Sequence, residues 1–282
     1  MKIVAFCAIP FMLLFFSGCQ TVETVLKEPR LSVHSVTMES VSFDGMGLLC
    51  KVQVENPNAF AIPFPEIGWD FFINDNAFLE GVLKEGGSIK ARETTTVNIP
   101  LQFTYEGLFN TFSSLIGAGE LAYAIGLDIV FPIPIIEAKT FHLDFEGAVP
   151  IPRLPSFSFA GIEAKNISLQ SIDFSLNWKL ENKNSFALKL DEFIYDFAVN
   201  GSAWAKGSVR EGISAGAGET INIPLNISIN SAQIAGEMFR LISGGGSVNY
   251  SCTGGLVLSS DLPGFQKTEM PLSLSGTTGI KK

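Results

Sequence analysis

Histidine, the commonest general base and metal ligand in proteins, occurs only twice in the 282 residues, at His34 and His142. A zinc site needs several ligands close together, and neither histidine has a cysteine or acidic partner at a spacing typical of metal binding. Asp191 and Glu192 are adjacent in a predicted strand, so their side chains point to opposite faces and cannot serve one substrate. The sequence has no P-loop and no Gly-x-Gly-x-x-Gly dinucleotide fingerprint. These patterns predict no catalytic residue, no metal and no cofactor.

Cysteines are the other residues with chemical potential. Cys7 and Cys19 lie near the N-terminus, and Cys50 and Cys252 lie one in each half of the chain. The latter two could form a disulfide, act as reactive thiols, or be two separate buried thiols. Cys50 is on the apolar side of an alternating segment, where cysteine behaves as a small hydrophobic residue. We therefore predict two separate buried thiols.

The first 18 residues have the pattern of an export signal. After Lys2, residues 3–16 form an apolar run of 14 residues, which is shorter than the roughly 20 that a membrane-spanning helix needs. The following Phe16-Ser17-Gly18-Cys19 resembles the bacterial lipobox, whose cysteine becomes acylated, although leucine is usual where Phe16 stands. We predict a lipoprotein signal peptide at 1–18, lipidation at Cys19 and a tether at 19–29. The alternatives are a non-lipidated signal peptide and a short membrane anchor.

Composition limits the partners of the exported chain. The net charge is −9 and no run of Lys or Arg occurs, which predicts no nucleic-acid partner because phosphate binding needs clustered cations. Apolar residues make up 46% of the chain, with 24 Phe, so it can fill hydrophobic cores, unlike a disordered hydrophilic protein. An acidic chain needs an anchor other than charge to stay at an anionic membrane. The predicted lipid on Cys19 would supply it, in the bacterial cell envelope.

The chain contains an internal repeat. With an offset of 126, 13 of the 32 positions in 55–86 are identical to those in 181–212, where chance gives about two. A gap of two then aligns 98–101 with 222–225, both Asn-Ile-Pro-Leu, and Gly147 later aligns with Gly276. This repeat length is typical of a sandwich domain.

The repeat divides the chain into two domains with a joint between them. We call residues 30–149 repeat 1 and residues 156–277 repeat 2. The linker 150–155, Pro-Ile-Pro-Arg-Leu-Pro, is stiff because of its prolines.

Each repeat has the residue alternation of strands. Apolar residues occupy every second position in four segments, which predicts strands with one face in a core. These residues are Leu48, Cys50, Val52 and Val54; Ile67, Trp69, Phe71 and Ile73; and, in repeat 2, Ile172, Phe174, Leu176, Trp178 and Leu180, and Phe193, Tyr195, Phe197 and Val199. Asn74-Asp75-Asn76 and Asn200-Gly201-Ser202 predict hairpin turns. Pro100 and Pro224 predict edge strands or bulges, since proline donates no ladder hydrogen bond.

One helix interrupts each repeat. Its apolar residues recur at helical spacing, which predicts about three turns capping an open end of the sandwich. In repeat 1 they are Leu108, Phe109, Phe112, Leu115 and Ile116, and in repeat 2 Ile234, Met238, Leu241 and Ile242. The predicted fold is all-β, with two tandem immunoglobulin- or fibronectin-III-like sandwiches and one short helix in each.

These motifs together resemble the water-stress and hypersensitive-response (WHy) domain of LEA type 2, LEA14-like proteins. The resemblance rests on Asn56-Pro57-Asn58 after a strand, a second strand around Trp69-Asp70-Phe71, a hairpin with glycine and an Ile-Pro-Leu strand. It covers roughly residues 30–148 and 156–276, and repeat 2 departs from it at the centre of Asn182-Lys183-Asn184. It implies a β-sandwich and an association with protection from desiccation or other stress.

The motif asparagines have a physical role of their own. Proline suits the first central position of a turn, and asparagine side chains can bond nearby backbone amides. We therefore interpret Asn56, Pro57, Asn58, Asn182 and Asn184 as a structural turn motif.

An unbroken apolar segment in repeat 1 is open to two interpretations. The segment runs from Ile129 to Ile136 and includes Phe131-Pro132-Ile133-Pro134-Ile135, and repeat 2 has more polar residues there. It is either a buried strand and loop or an exposed apolar lip that contacts a partner, a lipid or a client protein.

The leading function hypothesis is a non-enzymatic, lipid-tethered protein that protects against stress or interacts with client or envelope proteins. The alternative is a binding module that scaffolds an envelope complex or carries an apolar ligand between its sheets. An enzyme is the third possibility.

Overall fold

A computed structural model of the chain describes residues 27–132, 139–231, 236, 242, 244 and 246–281. The predicted all-β fold with two tandem sandwiches is confirmed. The strands of repeat 1 are β1 Arg30–Val41, β2 Gly45–Glu55, β3 Ile62–Pro63, β4 Glu66–Ile73, β5 Asn76–Lys84, β6 Ser88–Ile89, β7 Thr94–Thr104, β8 Glu120–Val130 and β9 Thr140–Pro150. Those of repeat 2 are β10 Ser156–Ile167, β11 Ser171–Glu181, β12 Leu188–Val199, β13 Ser202–Val209, β14 Ile213–Ala215, β15 Thr220–Asn230, β16 Ser247–Ser259 and β17 Thr268–Lys281.

Two antiparallel sheets enclose the core of repeat 1. One has the strand order β1-β2-β7 and the other β5-β4-β8-β9, while β3 and β6 form a short separate pair. The alternation of β2 places Leu48, Cys50, Val52 and Val54 at 0–1% exposure. They face the equally buried Phe71 of β4 in a single hydrophobic cluster. Burial of this face is what selects the register of each strand.

Repeat 2 has the same layers, joined along one side. Its strands follow the order β13-β12-β16-β17-β10-β11-β15, with β14 paired to β12. The join is a short parallel pairing of β10 with β17, at Ile162 with Ile280. The predicted core residues of β11 are all buried, and Trp178 is the largest fully buried side chain.

The two strands that contain Pro100 and Pro224 lie at sheet edges, as predicted. Among the described strands, β7 pairs only with β2, and β15 only with β11. The two-residue gap that aligned their Asn-Ile-Pro-Leu segments is wrong. The ladders place Thr94 opposite Glu55 and Thr220 opposite Glu181, so the offset of 126 continues without a gap. A shift of two residues keeps every side chain on its own face, which is why the sequence alone could mimic a gap.

Both predicted hairpins have two-residue turns with positive φ. The values are 50° and 61° for Asn74 and Asp75, and 47° and 78° for Asn200 and Gly201. Positive φ at both central positions defines the type I′ turn, whose twist matches that of the strands. Asparagine, aspartate and glycine accept this conformation more readily than other residues, so the local sequence determines both hairpins.

The helix of repeat 1 differs from its prediction. Helix α1 spans Tyr105–Thr111, and a short 3₁₀ helix follows at Ser113–Leu115. The helix starts earlier than the apolar stripe because the Thr104 side chain caps the Gly107 N–H. It ends before Phe112, whose ring packs edge-on against Phe78 at 5.7 Å between centroids. Ile116, predicted in the stripe, is 67% exposed. Most of the helix predicted for 234–242 lies outside the described residues.

The two repeats contact each other through a clasp. We use this name for Val41 and Phe43 of repeat 1 with Gly264, Phe265 and Gln266 of repeat 2. The Val41 N–H donates to the Gly264 carbonyl at 2.8 Å, and the Gln266 N–H donates to the Val41 carbonyl at 2.7 Å. The Phe43 ring meets the Phe265 ring edge-on at 5.5 Å. The repeats are therefore joined by more than their covalent linker.

The linker between the repeats is itself bound on both sides. Ile151 is 3% exposed in the core cluster of repeat 1, and its N–H donates to the Gly119 carbonyl at 3.0 Å. The Arg153 guanidinium donates to the carbonyls of Gly117 and Ala118. Strand β9 ends at Pro150 and β10 begins at Ser156, while β17 extends to Lys281.

Candidate functional site

The turn motif of repeat 1 is organised by the buried side chain of Asn56. Its amide nitrogen contacts the carbonyl oxygens of Phe60, Ile89 and Lys90 at 2.8–3.1 Å. Its amide oxygen accepts from the main-chain and side-chain nitrogens of Asn58, both at 3.0 Å. One side chain thus joins the turn at Phe60 to the backbone at Ile89 and Lys90, and its own polar atoms are paired, as burial of polar groups requires.

Asn58 uses its remaining groups to hold the chain that enters repeat 1. Its Nδ2 donates to the Lys27 carbonyl at 2.9 Å, and its Oδ1 accepts the Lys27 N–H at 2.7 Å. The Asn58 side chain thereby imitates a strand neighbour for one residue, just before β1 begins. We call this arrangement the chain clamp of repeat 1.

Repeat 2 contains the same clamp, with the linker as its occupant. Asn182 contacts the carbonyls of Phe186, Ala215 and Gly216 at 2.7–3.1 Å. Asn184 pairs with both backbone groups of Arg153, at 2.6 and 2.9 Å. The clamp of repeat 2 forms with Lys183 at the centre of the motif, where repeat 1 has Pro57. Pro57 therefore stiffens the turn but is not required for the hydrogen bonds of the clamp.

Sequence reasoning placed the asparagines in a structural turn but missed the entering chain. Lys27 and Arg153 are related by the repeat offset of 126. No side-chain signal could have identified them, since the clamps bind only their backbone. Any residue other than proline can offer the same N–H and carbonyl.

The other predicted site residues are only partly within the described structure. Cys19 lies outside it, and so do Ile133, Pro134 and Ile135 of the proposed lip. Phe131 is 2% exposed and packs edge-on against Phe141 at 5.9 Å, while Pro132 is exposed. The Phe131 side chain therefore belongs to the core of repeat 1. Within the described residues, no helix is long and apolar enough to cross a bilayer.

Cys50 and Cys252 are free and fully buried, in the cores of repeats 1 and 2 respectively. Burial raises the pKa of each thiol to about 11. At neutral pH both are protonated, and a protonated thiol is neither a nucleophile nor a metal ligand. The prediction of two separate buried thiols is confirmed.

The polar residues considered for chemistry pair with their strand neighbours. His142 Nδ1 contacts Asp128 Oδ1 across β8 and β9, and His34 contacts Gln53 across β1 and β2. Glu192 accepts from Arg210, and this hydrogen bond lowers the pKa of the Glu192 carboxyl. Among residues with described positions, no group of three or more His, Cys, Asp or Glu could hold a metal ion.

The fold and the clamps define a tandem β-sandwich protein. In each sandwich, an asparagine side chain binds the segment that precedes the first strand. A model of the late embryogenesis abundant protein family (LEA_2) matches residues 51–147 and 177–276, well over half of the chain. The chain belongs to this family, and each repeat is one copy of its domain.

Plant proteins are among the similar curated sequences. The probable desiccation-related protein LEA14 of Arabidopsis thaliana is 27% identical over 134 residues, covering 48% of this chain and 89% of that protein. The late embryogenesis abundant protein Lea14-A of Gossypium hirsutum is 28% identical over 129 residues, or 46% of this chain and 85% of that protein. A solution structure from Arabidopsis thaliana is 25% identical, covers 49% of this chain and 91% of that chain, and has a TM-score of 0.38.

Proposed function

We propose that this protein is a non-enzymatic, lipid-tethered LEA type 2 protein of the bacterial cell envelope, which protects other envelope components during desiccation or related stress. The observation that carries the proposal is that both repeats match the family model and that the similar proteins include desiccation-related ones. The buried, protonated thiols and the pairing of Glu192 with Arg210 are consistent with a role outside catalysis.

The surface of the protein is consistent with protection by a stable folded body. The chain carries a net charge of −9, and the outer strand faces hold ion pairs such as Glu192–Arg210 and Asp196–Lys206. A net charge keeps protein molecules apart as they are concentrated. During drying, folded and charged molecules of this protein would lie between client proteins and reduce contact between the exposed apolar surfaces of the clients.

The chain clamp of repeat 1 supports a short tether. Eight residue steps separate Cys19 from Lys27, the residue that Asn58 holds. An extended chain spans at most about 3.3–3.6 Å per residue, so repeat 1 would lie within about 30 Å of the lipid. Protection would then act on proteins and lipids close to one membrane surface.

We expect the purified protein to preserve the activity of a desiccation-sensitive enzyme through drying and rehydration. The measurement compares recovered activity with this protein, with an equal mass of albumin and with no additive. Recovery well above the albumin control is expected, because a charged body that stays folded separates client molecules. Recovery equal to that with albumin contradicts the protective role.

We expect native protein to carry a lipid on Cys19, and the Cys19→Ala variant to lack it. Intact mass and detergent-phase partitioning of both proteins measure this. A lipid-sized mass increment with partitioning into detergent, both lost in the variant, is the expected result. An unmodified, water-soluble native protein would refute the tether and leave the protective role to be judged by the drying assay.

A second candidate function is a scaffold in an envelope complex, and one observation favours it. The turn between β10 and β11 exposes two apolar residues, Ile167 at 41% and Leu169 at 100%. A ligand carried between the sheets is less well supported, since aromatic rings pack against Trp178 in the core of repeat 2, Phe157 stacked and Phe193 edge-on.

A further inference from the structure

The exposed turn of repeat 2 is the counterpart of the turn that repeat 1 uses in the clasp. The offset of 126 relates Val41 and Phe43 to Ile167 and Leu169. In repeat 1, Val41 is 0% exposed and Phe43 packs against the core of repeat 2. In repeat 2, the corresponding residues are exposed. We call the turn of Ile167 and Leu169 the free tip.

The free tip has the same internal bonding as the docked one. Ser168 Oγ accepts from the Gln170 and Ser171 N–H groups at 3.3 and 3.0 Å and donates to the Ser171 carbonyl at 2.8 Å. Ser42 makes the corresponding three bonds in repeat 1, at 3.1–3.3 Å. The free tip therefore has the docking conformation before any partner binds, which lowers the entropic cost of association.

The clasp shows what a partner must offer. It presents a carbonyl and an N–H two residues apart, at Gly264 and Gln266, with the Phe265 ring between them. Gly264 has φ +77°, and a Cβ there would lie 3.0 Å from the Met38 carbonyl oxygen and the Glu39 carbonyl carbon of β1. Glycine is thus needed for the two main chains to approach.

The sequence of repeat 1 lacks the glycine of the clasp loop at the corresponding position. Under the offset that relates Gly147 to Gly276, Leu262-Pro263-Gly264-Phe265 corresponds to Ile133-Pro134-Ile135-Ile136. The sequence from 131 to 139 contains no glycine. The equivalent loop of repeat 2 does contain one, but it is already occupied by repeat 1.

We propose that the free tip is a docking site for a β-sandwich domain of another polypeptide, one whose inter-strand loop carries a glycine followed by an aromatic residue, as at Gly264-Phe265. The partner domain would extend the chain of sandwiches by one unit, repeating the contact between repeats 1 and 2. The site lies in repeat 2, the repeat farther along the chain from the predicted tether. Docking at the free tip rests on the second candidate function, the scaffold, and does not depend on lipidation.

Opening the clasp exposes the loop at Gly264, so that the free tip of a second molecule can be tested for binding to it. Phe43→Asp places a carboxylate against the Phe265 ring and releases the loop at Gly264, which the free tip of another molecule can then bind. Gly264→Val also opens the clasp but destroys the loop. Both are made in the Cys19→Ala background, so that no lipid drives association. Hydrogen exchange at the Val41 and Gln266 N–H groups reports the opening.

Sedimentation velocity then measures association of the variants. We expect the background protein to be monomeric and the Phe43→Asp protein to self-associate. Adding Leu169→Asp is expected to weaken that association by about tenfold or more, since it removes the apolar anchor of the tip. Adding Val82→Asp, a matched change at another exposed apolar residue (58% exposed), is expected to leave association unchanged. The Gly264→Val protein is expected to stay monomeric.

Three outcomes overturn the proposal. Monomeric Phe43→Asp protein with fast exchange at the clasp means that the tip does not recognise the loop. Association that Leu169→Asp does not weaken means that the opened surface, and not the tip, drives it. Association of the background protein that depends on Leu169 means that the occupant is a second copy of this chain.

Discussion

Replacing Trp178 with alanine is expected to lower the free energy of unfolding by about 3–5 kcal/mol, the range for removing a large buried aromatic side chain. Trp178 is 0% exposed. Its ring lies 4.6–5.9 Å from the rings of Phe157, Phe159, Phe193 and Phe197. These four rings come from both layers of repeat 2, so a cavity at Trp178 cannot be closed by moving one strand.

Urea unfolding followed by far-ultraviolet circular dichroism measures this loss. Leu169→Ala is the control, because that side chain is 100% exposed and its truncation is expected to change stability by no more than about 0.5 kcal/mol. A loss below about 1 kcal/mol for Trp178→Ala would show that the aromatic cluster is not the centre of the repeat 2 core.

Replacing Asn182 with alanine is expected to lower the free energy of unfolding by about 3 kcal/mol. The change leaves the Phe186, Ala215 and Gly216 carbonyls without the amide they contact, and the Asn184 side chain loses the acceptor that orients it. Each buried polar group left unpaired costs about 1–3 kcal/mol, partly recovered where water can enter.

The effect of Asn182→Ala should extend to the linker. Because Asn184 holds both backbone groups of Arg153, amide exchange at Arg153 is expected to accelerate along with the loss of stability. Asn222→Ala, at an exposed position of β15, is the control and is expected to change neither quantity. Lost stability with unchanged exchange at Arg153 would separate the loop-organising role of Asn182 from the clamp.

The paired clamps give the motif a role in how sandwiches are connected. Each clamp fixes the entering chain three residues before the first strand of its repeat, at Lys27 before Arg30 and at Arg153 before Ser156. The linker is therefore bound at Ile151 by repeat 1 and at Arg153 by repeat 2. An unbound linker would let the repeats rotate relative to each other. The bound linker and the clasp together set the relative position of the repeats.

Much of the fold follows from residue patterns that act locally. Alternation in 172–180 placed five apolar side chains in the core because a strand has a period of two. Asn200-Gly201 determined a hairpin because these residues accept positive φ. The structural role of the motif asparagines could also be anticipated, since their side chains compete for nearby backbone groups.

What the sequence by itself determined were the strands, the hairpins, the two repeats and the family; the tertiary structure decided which surfaces meet. Asn58 and Asn184 bind backbone atoms of Lys27 and Arg153. Because these contacts do not depend on the side chain, the residue types at 27 and 153 do not reveal them. The two-residue ambiguity in β15 was resolved only by its pairing with β11. Phe43 and Leu169 lie at the same position of the same turn, yet one is covered and the other fully exposed. Local patterns fix the conformation of each turn, but burial depends on which neighbour the rest of the chain brings to it.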